Sequence, residues 1–229
     1  MRNSAIIREF WEAAVHQYLY ARKVYPELLF DQRSIYGTTV FHSQHPDIAG
    51  YITRVLDNAV DLLDKDAVDR LLLTITSSAT SRPVECLILT CSAPPPATVQ
   101  QQQQQQGRLS VCDELEENLR AALLKILMVA ASKLRALSDD CSFALALSTR
   151  QSASSSSSSS GGAVEAALRS GEWRVDSATT PGDPRTDIAM AMDTMAAGDG
   201  GGSHSRTMIK SFNSEILGTI ECFVQSFSK

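Results

Sequence analysis

The sequence is short of aromatic residues, which make up 6% of its 229 positions, and short of positive charge. Lys and Arg number 21 against 26 Asp and Glu, a net charge of −5. A protein that grips nucleic acid by neutralising phosphates needs clustered Lys and Arg, so direct nucleic-acid binding is not expected. No run of about 18 apolar residues occurs, which excludes a membrane-spanning helix and gives no reason to expect a membrane partner. The first ten residues hold no apolar stretch followed by small residues, so no secretory signal is expected.

Reactive constellations are missing as well. The five cysteines (Cys86, Cys91, Cys112, Cys141 and Cys222) are odd in number and form no C-x-x-C pair. A disulfide framework is therefore not expected, and a reducing compartment fits better. Most of them stand in apolar runs and read as small buried hydrophobes. The four histidines are His16, His42, His45 and His204. His42 and His45 are close in sequence, but no Cys or carboxylate cluster nearby completes a zinc set, so they read as loop histidines before a helix. His16 reads as a helix residue, and no metal or cofactor is expected. The nucleophile elbow, the zinc-protease pair of histidines and the phosphate-loop lysine are all absent. The run Gly198-Asp-Gly-Gly-Gly-Ser203 has no lysine or preceding strand and reads as linker.

Three stretches are low in complexity. Residues 94–108 hold three prolines and seven consecutive glutamines, residues 152–162 seven consecutive serines, and residues 189–205 a glycine cluster. Such stretches bury too little apolar surface to offset their own ordering entropy. With 43% hydrophobic residues overall, enough chain remains for one domain.

Periodicity supplies the elements. Ile7, Phe10, Trp11, Ala14, Tyr18, Ala21 and Tyr25 recur at helical steps, so a helix is expected over residues 4–25, stopped by Pro26. Residues 28–40 read as a connector and short strand. Pro46 and Asp47 open a second helix with a stripe from Ile48 to Leu63. Residues 68–75 and 84–91 read as a hairpin. Residues 111–137 read as a third helix, apolar nearly all round in its middle and so expected at the centre. Cys141 to Thr149 alternates as a strand, with small residues on one face. Two more strands are expected over residues 208–217 and 219–227, turning at Gly218. The pattern is α+β: three helices on one mainly antiparallel sheet.

Several motifs, in their order and spacing, resemble one family. They are Glu12-Ala-Ala-Val-His-Gln-Tyr-Leu-Tyr-Ala-Arg-Lys-Val-Tyr-Pro26, His45-Pro-Asp-Ile-Ala-Gly-Tyr-Ile52, Arg82-Pro-Val-Glu85, Leu119-Arg-Ala-Ala-Leu-Leu-Lys-Ile126, Cys141-Ser-Phe143 and Thr149-Arg150. Trp173, Asp183-Pro-Arg185 and Ser214-Glu-Ile-Leu217 continue the series. The chain resembles the HORMA-domain family over nearly its whole length. Within it, the likeness is greatest to the Rev-seven (Mad-two-B) type, the accessory subunit of translesion DNA polymerase zeta. The low-complexity tracts fall where that family has loops.

The resemblance implies one HORMA-like domain over residues 1–229, with a core over about 4–150 and a C-terminal seatbelt arm over about 151–229. It implies a non-catalytic adaptor that folds the arm over a partner's peptide, acting in the nucleus in damage tolerance. Implied partners are the catalytic subunit of polymerase zeta, the scaffold polymerase Rev-one, a second HORMA domain and an AAA+ remodelling ATPase. By position, Tyr51 and Trp173 match the aromatics that hold the peptide, with Tyr25 as a third wall. Arg120 and Ala131 match positions of HORMA–HORMA pairing. Lys23 stands there in place of an acid, and Gln32 in place of a lysine. Ile220 and Cys222 match the Rev-one docking surface, where the family carries a polar amide and a tyrosine. Two rivals stand beside this reading: a spindle-checkpoint HORMA protein, and a thiol hydrolase using Cys141 or Cys86.

Overall fold

The structure, a computed structural model, describes residues 3–92, 108–137, 140–149 and 204–227. Its elements run α1 (Ser4–Ala21), β1 (Phe30–Ile35), β2 (Thr38–Ser43), α2 (Pro46–Asp64), β3 (Val68–Ser77), β4 (Pro83–Cys91), α3 (Arg108–Ser132), β5 (Cys141–Thr149), β6 (His204–Ser214) and β7 (Gly218–Phe227). The three helices and the mainly antiparallel sheet are as expected. Strands β5-β3-β4-β7-β6, in that order, form one five-stranded sheet, and β1 and β2 form a separate hairpin. Every pairing is antiparallel.

Helix α1 is shorter than its apolar stripe suggests. It stops at Ala21, before Pro26 can act. Lys23 takes a left-handed conformation (φ 54°). The Lys23 N–H then donates to the Tyr20 carbonyl, and the Val24 N–H to the Leu19 carbonyl. This is the Schellman closure, which satisfies the last free carbonyls of a helix. Helix α2 ends the same way at Asp66 (φ 52°), with Asp66 and Ala67 donating back to Leu63 and Leu62. Tyr25 is thereby released from the helix.

The expected connector over residues 28–40 is a two-stranded hairpin that continues to Ser43. Tyr36 and Gly37 both have positive φ, at 50° and 65°, the pattern of a type I′ turn. Gly37 suits its positive φ, and an added Cβ there would lie 3.2 Å from Arg120 Nη2, so the guanidinium would have to shift slightly. The hairpin docks on α1. Phe41 stacks on Tyr20 at 3.6 Å, and the Phe41 N–H donates to Gln17 Oε1.

The central helix is α1, not α3. Ile7, Phe10, Trp11, Val15, Tyr18 and Leu19 on α1 are all buried. Helix α3 buries Leu115, Leu119, Ala122, Leu123, Ile126 and Ala130 but leaves Leu124 42% and Met128 66% exposed. The all-round apolar middle of α3 is therefore one core face and one outward apolar strip. Helix α3 also begins earlier than expected, at Arg108, so its acidic residues lie beyond the first turn.

One ion pair joins these layers. Arg22, just past the end of α1, reaches Glu85 on β4 with two bonds: Nε to Oε1 at 2.6 Å and Nη2 to Oε2 at 2.9 Å. Both side chains are 4% exposed. The Tyr18 hydroxyl donates to the same Oε1, and Arg22 also donates to the carbonyls of Ala130 and Arg135. Burial, and then the Glu85 carboxylate, push the Tyr18 hydroxyl pKa up, so it stays a donor. Removing one member of a buried pair strands the other charge, at a cost of about 3–5 kcal/mol. Glu85→Ala is expected to lose that much stability in urea unfolding at neutral pH. A loss under about 1 kcal/mol would contradict this assignment.

Candidate functional site

Strand β5 is an edge. Its inner side pairs with β3, and no described residue pairs with its outer side. The register says which groups face outward. Ser78 N–H donates to Asp140 O at 2.9 Å, which marks a hydrogen-bonded pair at the start of the ladder. Pairs alternate along an antiparallel ladder, so Cys141, Phe143, Leu145 and Leu147 turn N–H and C=O away from β3. Their side chains lie on the helix side, against the main core. The opposite face carries the exposed Ser142, Ala144 and Ala146.

Three aromatics converge on this edge. Tyr25, just after α1, meets Phe143 edge-on at 6.0 Å between centroids. Tyr51, on α2, meets the same ring at 5.7 Å. Tyr25 and Tyr51 are both half-buried. The Tyr51 hydroxyl accepts the outward Leu145 N–H at 3.1 Å. A side chain thus fills one position that an added strand would otherwise use. Phe143, the ring that joins the two tyrosines, was not singled out from sequence, although it stands in the Cys141-Ser-Phe143 motif. Its alternation in β5 and that motif were the signals available. Trp173 lies outside the described residues, as do the Asp183-Pro-Arg185 motif and most of the arm.

Beside the first residue of β5 opens a cavity of about 500 Å³, lined by Lys23, Val24, Ala131, Leu134, Leu137 and Cys141 among others. It brings together two of the residues matched to HORMA pairing. Ala131 is exposed, and Lys23 pairs with Glu27 at 3.2 Å. Gln32 and Arg120 lie elsewhere. Gln32 is exposed on β1 opposite Phe41. Arg120 is half-buried and donates from Nε to the Tyr36 carbonyl at 2.7 Å, with Glu116 at 3.4 Å from Nη2. Its first role is intramolecular, fastening α3 to the hairpin turn. The Tyr36 hydroxyl donates to Glu9, and burial followed by Glu9 raises its pKa.

Ile220 and Cys222 are 1% and 0% exposed, and both belong to the main core. Alternation on β7 sends them toward the helices. Burial pushes the Cys222 and Cys86 thiols up to about 12, which suits packing rather than nucleophilic attack. Cys91 is buried too, Cys141 half-buried and Cys112 exposed. His42 is also not a loop residue: it is buried in β2, stacked on His16 at 3.7 Å.

Among the described residues, β5 is thus an edge strand with outward backbone groups and three aromatics gathered against it. The chain belongs to the HORMA family: the family model described as "HORMA domain" matches residues 4–158. Proteins of this class are non-catalytic adaptors, and so is this one. It is similar to the rat "Mitotic spindle assembly checkpoint protein MAD2B", 32% identical over 148 residues, or 65% of this chain and 66% of that protein. It is also similar to the Schizosaccharomyces pombe "DNA polymerase zeta processivity subunit", 26% identical over 63% of this chain and 68% of that protein. The match thus spans just under two thirds of the rat protein's length. Among solved structures, a chain of the "Mitotic Checkpoint Complex" covers 98% of both chains with a TM-score of 0.66 at 17% identity. Caenorhabditis elegans HTP-2 bound to a HIM-3 closure motif covers 99% of this chain and 90% of its own, at 0.61 and 10%. At those identities the likeness is one of fold.

The tyrosine cap on β5 is directly measurable. Tyr51→Phe removes the acceptor of the Leu145 N–H while leaving the ring, and should cost about 1 kcal/mol. Hydrogen exchange at the Leu145 amide should quicken, with exchange in β3 and β4 little changed.

Proposed function

We propose that this adaptor captures a partner's peptide as an added strand on β5, as the accessory subunit of DNA polymerase zeta in translesion synthesis. The observation that carries the reading is the open β5 edge, with Phe143 gripped between Tyr25 and Tyr51. Added strands gain affinity from backbone hydrogen bonds and specificity from side-chain pockets. Here the outward groups of Phe143 and Leu147 supply the first, and the aromatics and the neighbouring cavity the second. The topology supports a strap as well. Residues 150–203 connect Thr149 at one edge of the sheet to His204 at the other. With strands about 4.8 Å apart, that connection crosses the width of four spacings, about 19 Å. Trp173 belongs to it, and we assign it to the peptide's cover.

The polymerase reading rests on the printed name of the fission-yeast relative, and a nuclear location follows from it. The net charge of −5 agrees, since DNA would be held by the partner. A checkpoint role is the second reading, supported by the name of the MAD2B relatives. One binding experiment separates them. Immobilised proline-containing peptide from the polymerase zeta catalytic subunit should retain the full chain, and Trp173→Ala or Phe143→Ala should weaken retention at least about tenfold, the loss of one aromatic anchor. Retention by checkpoint peptides alone would favour the second reading. Retention by neither would sink the capture model.

Pairing with a second HORMA domain we place on the outward strip of α3. Leu124 and Met128 are one turn apart and exposed, between Arg120 and Ala131. Met128→Asp, on an exposed side chain, should leave the fold intact. It should shift any concentration-dependent dimer to monomer in analytical ultracentrifugation.

A further inference from the structure

We propose that Glu12, His16 and His42 form a zinc-binding site that pins the β1–β2 hairpin to α1. Glu12 and His16 are four residues apart on α1 and so share one helix face. Strand β2 sets His42 against that face. One donor atom from each of the three lies within 4.8 Å of the others. Sequence spacing hid the set, because His42 stands far from His16 along the chain and near His45, which is not part of it.

Each donor is prepared in its own way. His16 is fully buried, and its Nε2 has no hydrogen-bond partner. A native interior rarely leaves such an atom orphaned, and a metal would satisfy it. His42 Nδ1 lies 3.0 Å from the Ser43 carbonyl, which only accepts, so Nδ1 carries the proton. The Nε2 lone pair of His42 is then free, oriented by the backbone contact that metal-bound histidines commonly make. Glu12 is steadied by Arg8 Nη1 at 2.9 Å on Oε2 and by Thr53 Oγ1 at 3.0 Å on Oε1. Each oxygen keeps a further lone pair. Two imidazoles and a carboxylate suit zinc, with water completing a tetrahedron.

Three features oppose binding and set its strength. The Ser43 N–H donates to His16 Nδ1 at 3.3 Å. Zinc at Nε2 therefore moves the ring proton from Nε2 to Nδ1 and gives up that long bond. The stacked rings, tilted by 31°, must splay to reach bonds of about 2.0–2.1 Å. The hairpin stands outside the five-stranded sheet and is the side that yields. The Arg33 charge also acts against a cation, while Asp31 on the same hairpin acts for it. Affinity in the micromolar range is expected, not the tight grip of a zinc finger.

The test uses the full chain, stripped of metal and titrated with zinc in a calorimeter, with cobalt(II) absorption as a second readout. The expected result is one zinc per chain and a rise in Tm with zinc concentration. Cobalt spectra should show nitrogen and oxygen ligation without thiolate charge transfer. His42→Ala and Glu12→Gln should each weaken zinc by at least about tenfold, the lower end of what even an outer contact costs. His45→Ala should bind as wild type. Should His42→Ala fail to fold, Glu12→Gln decides, since Glu12 is partly exposed. No uptake of zinc by the folded chain, equal affinity in Glu12→Gln and wild type, or a thiolate spectrum would each overturn the site.

Discussion

The buried contact between Arg22 and Glu85 is the constraint on which the other layers of this molecule depend. A guanidinium and a carboxylate, each 4% exposed, lose their water on folding and regain it only as hydrogen bonds. The regained bonds tie three elements together. Glu85 belongs to β4, Tyr18 and Arg22 to the end of α1, and the Ala130 carbonyl to the last turn of α3. Three elements must therefore meet in one geometry or leave a charge stranded. The guanidinium also sits where the C-terminal ends of two helices point, which their dipoles favour.

The edge at β5 follows from that arrangement. Strand β4 pairs with β3 on one side and with β7 on the other, so the C-terminal hairpin occupies the sheet beyond β4. Among the described residues, strand β5 is left terminal on the opposite side, with Phe143 and Leu147 turning their backbone groups outward. Edge strands are a liability for a free protein, because any other strand can pair with them. This one is narrowed by the Tyr51 hydroxyl on the Leu145 N–H and by the rings of Tyr25 and Tyr51 against Phe143. The Schellman closure after α1 matters here too. By ending the helix at Ala21 it frees Tyr25 to reach Phe143, and it leaves Arg22 beside Glu85.

Much of the fold was legible in the sequence, and the exceptions share a cause. Helix stripes and strand alternation located all three helices and the β3–β4 hairpin, because burial of one face forces those periods. The end of α1 was misjudged because the stripe runs on to Tyr25, while a left-handed Lys23 stops the helix first. Left-handed lysine carries no sequence signal comparable to glycine. The centrality of α3 was misjudged because composition reports how apolar a helix is, not which side is covered. At the candidate site, Tyr25 and Tyr51 were legible through resemblance, and Phe143 was not. Ile220 and Cys222 were placed on a surface by position, and strand alternation turned them inward.

By itself, the sequence determined the order of the three helices and of strands β3 to β7 and the α+β class, because these rest on local periodicity; its motifs carried the resemblance to the family. Only the tertiary structure decided which strand is the open edge, that Arg22 finds Glu85, and that His42 stacks on His16 rather than joining His45. Those are pairings between residues far apart along the chain. Short-range pattern carries no record of them, since they are chosen by how layers pack and which buried charges must be matched.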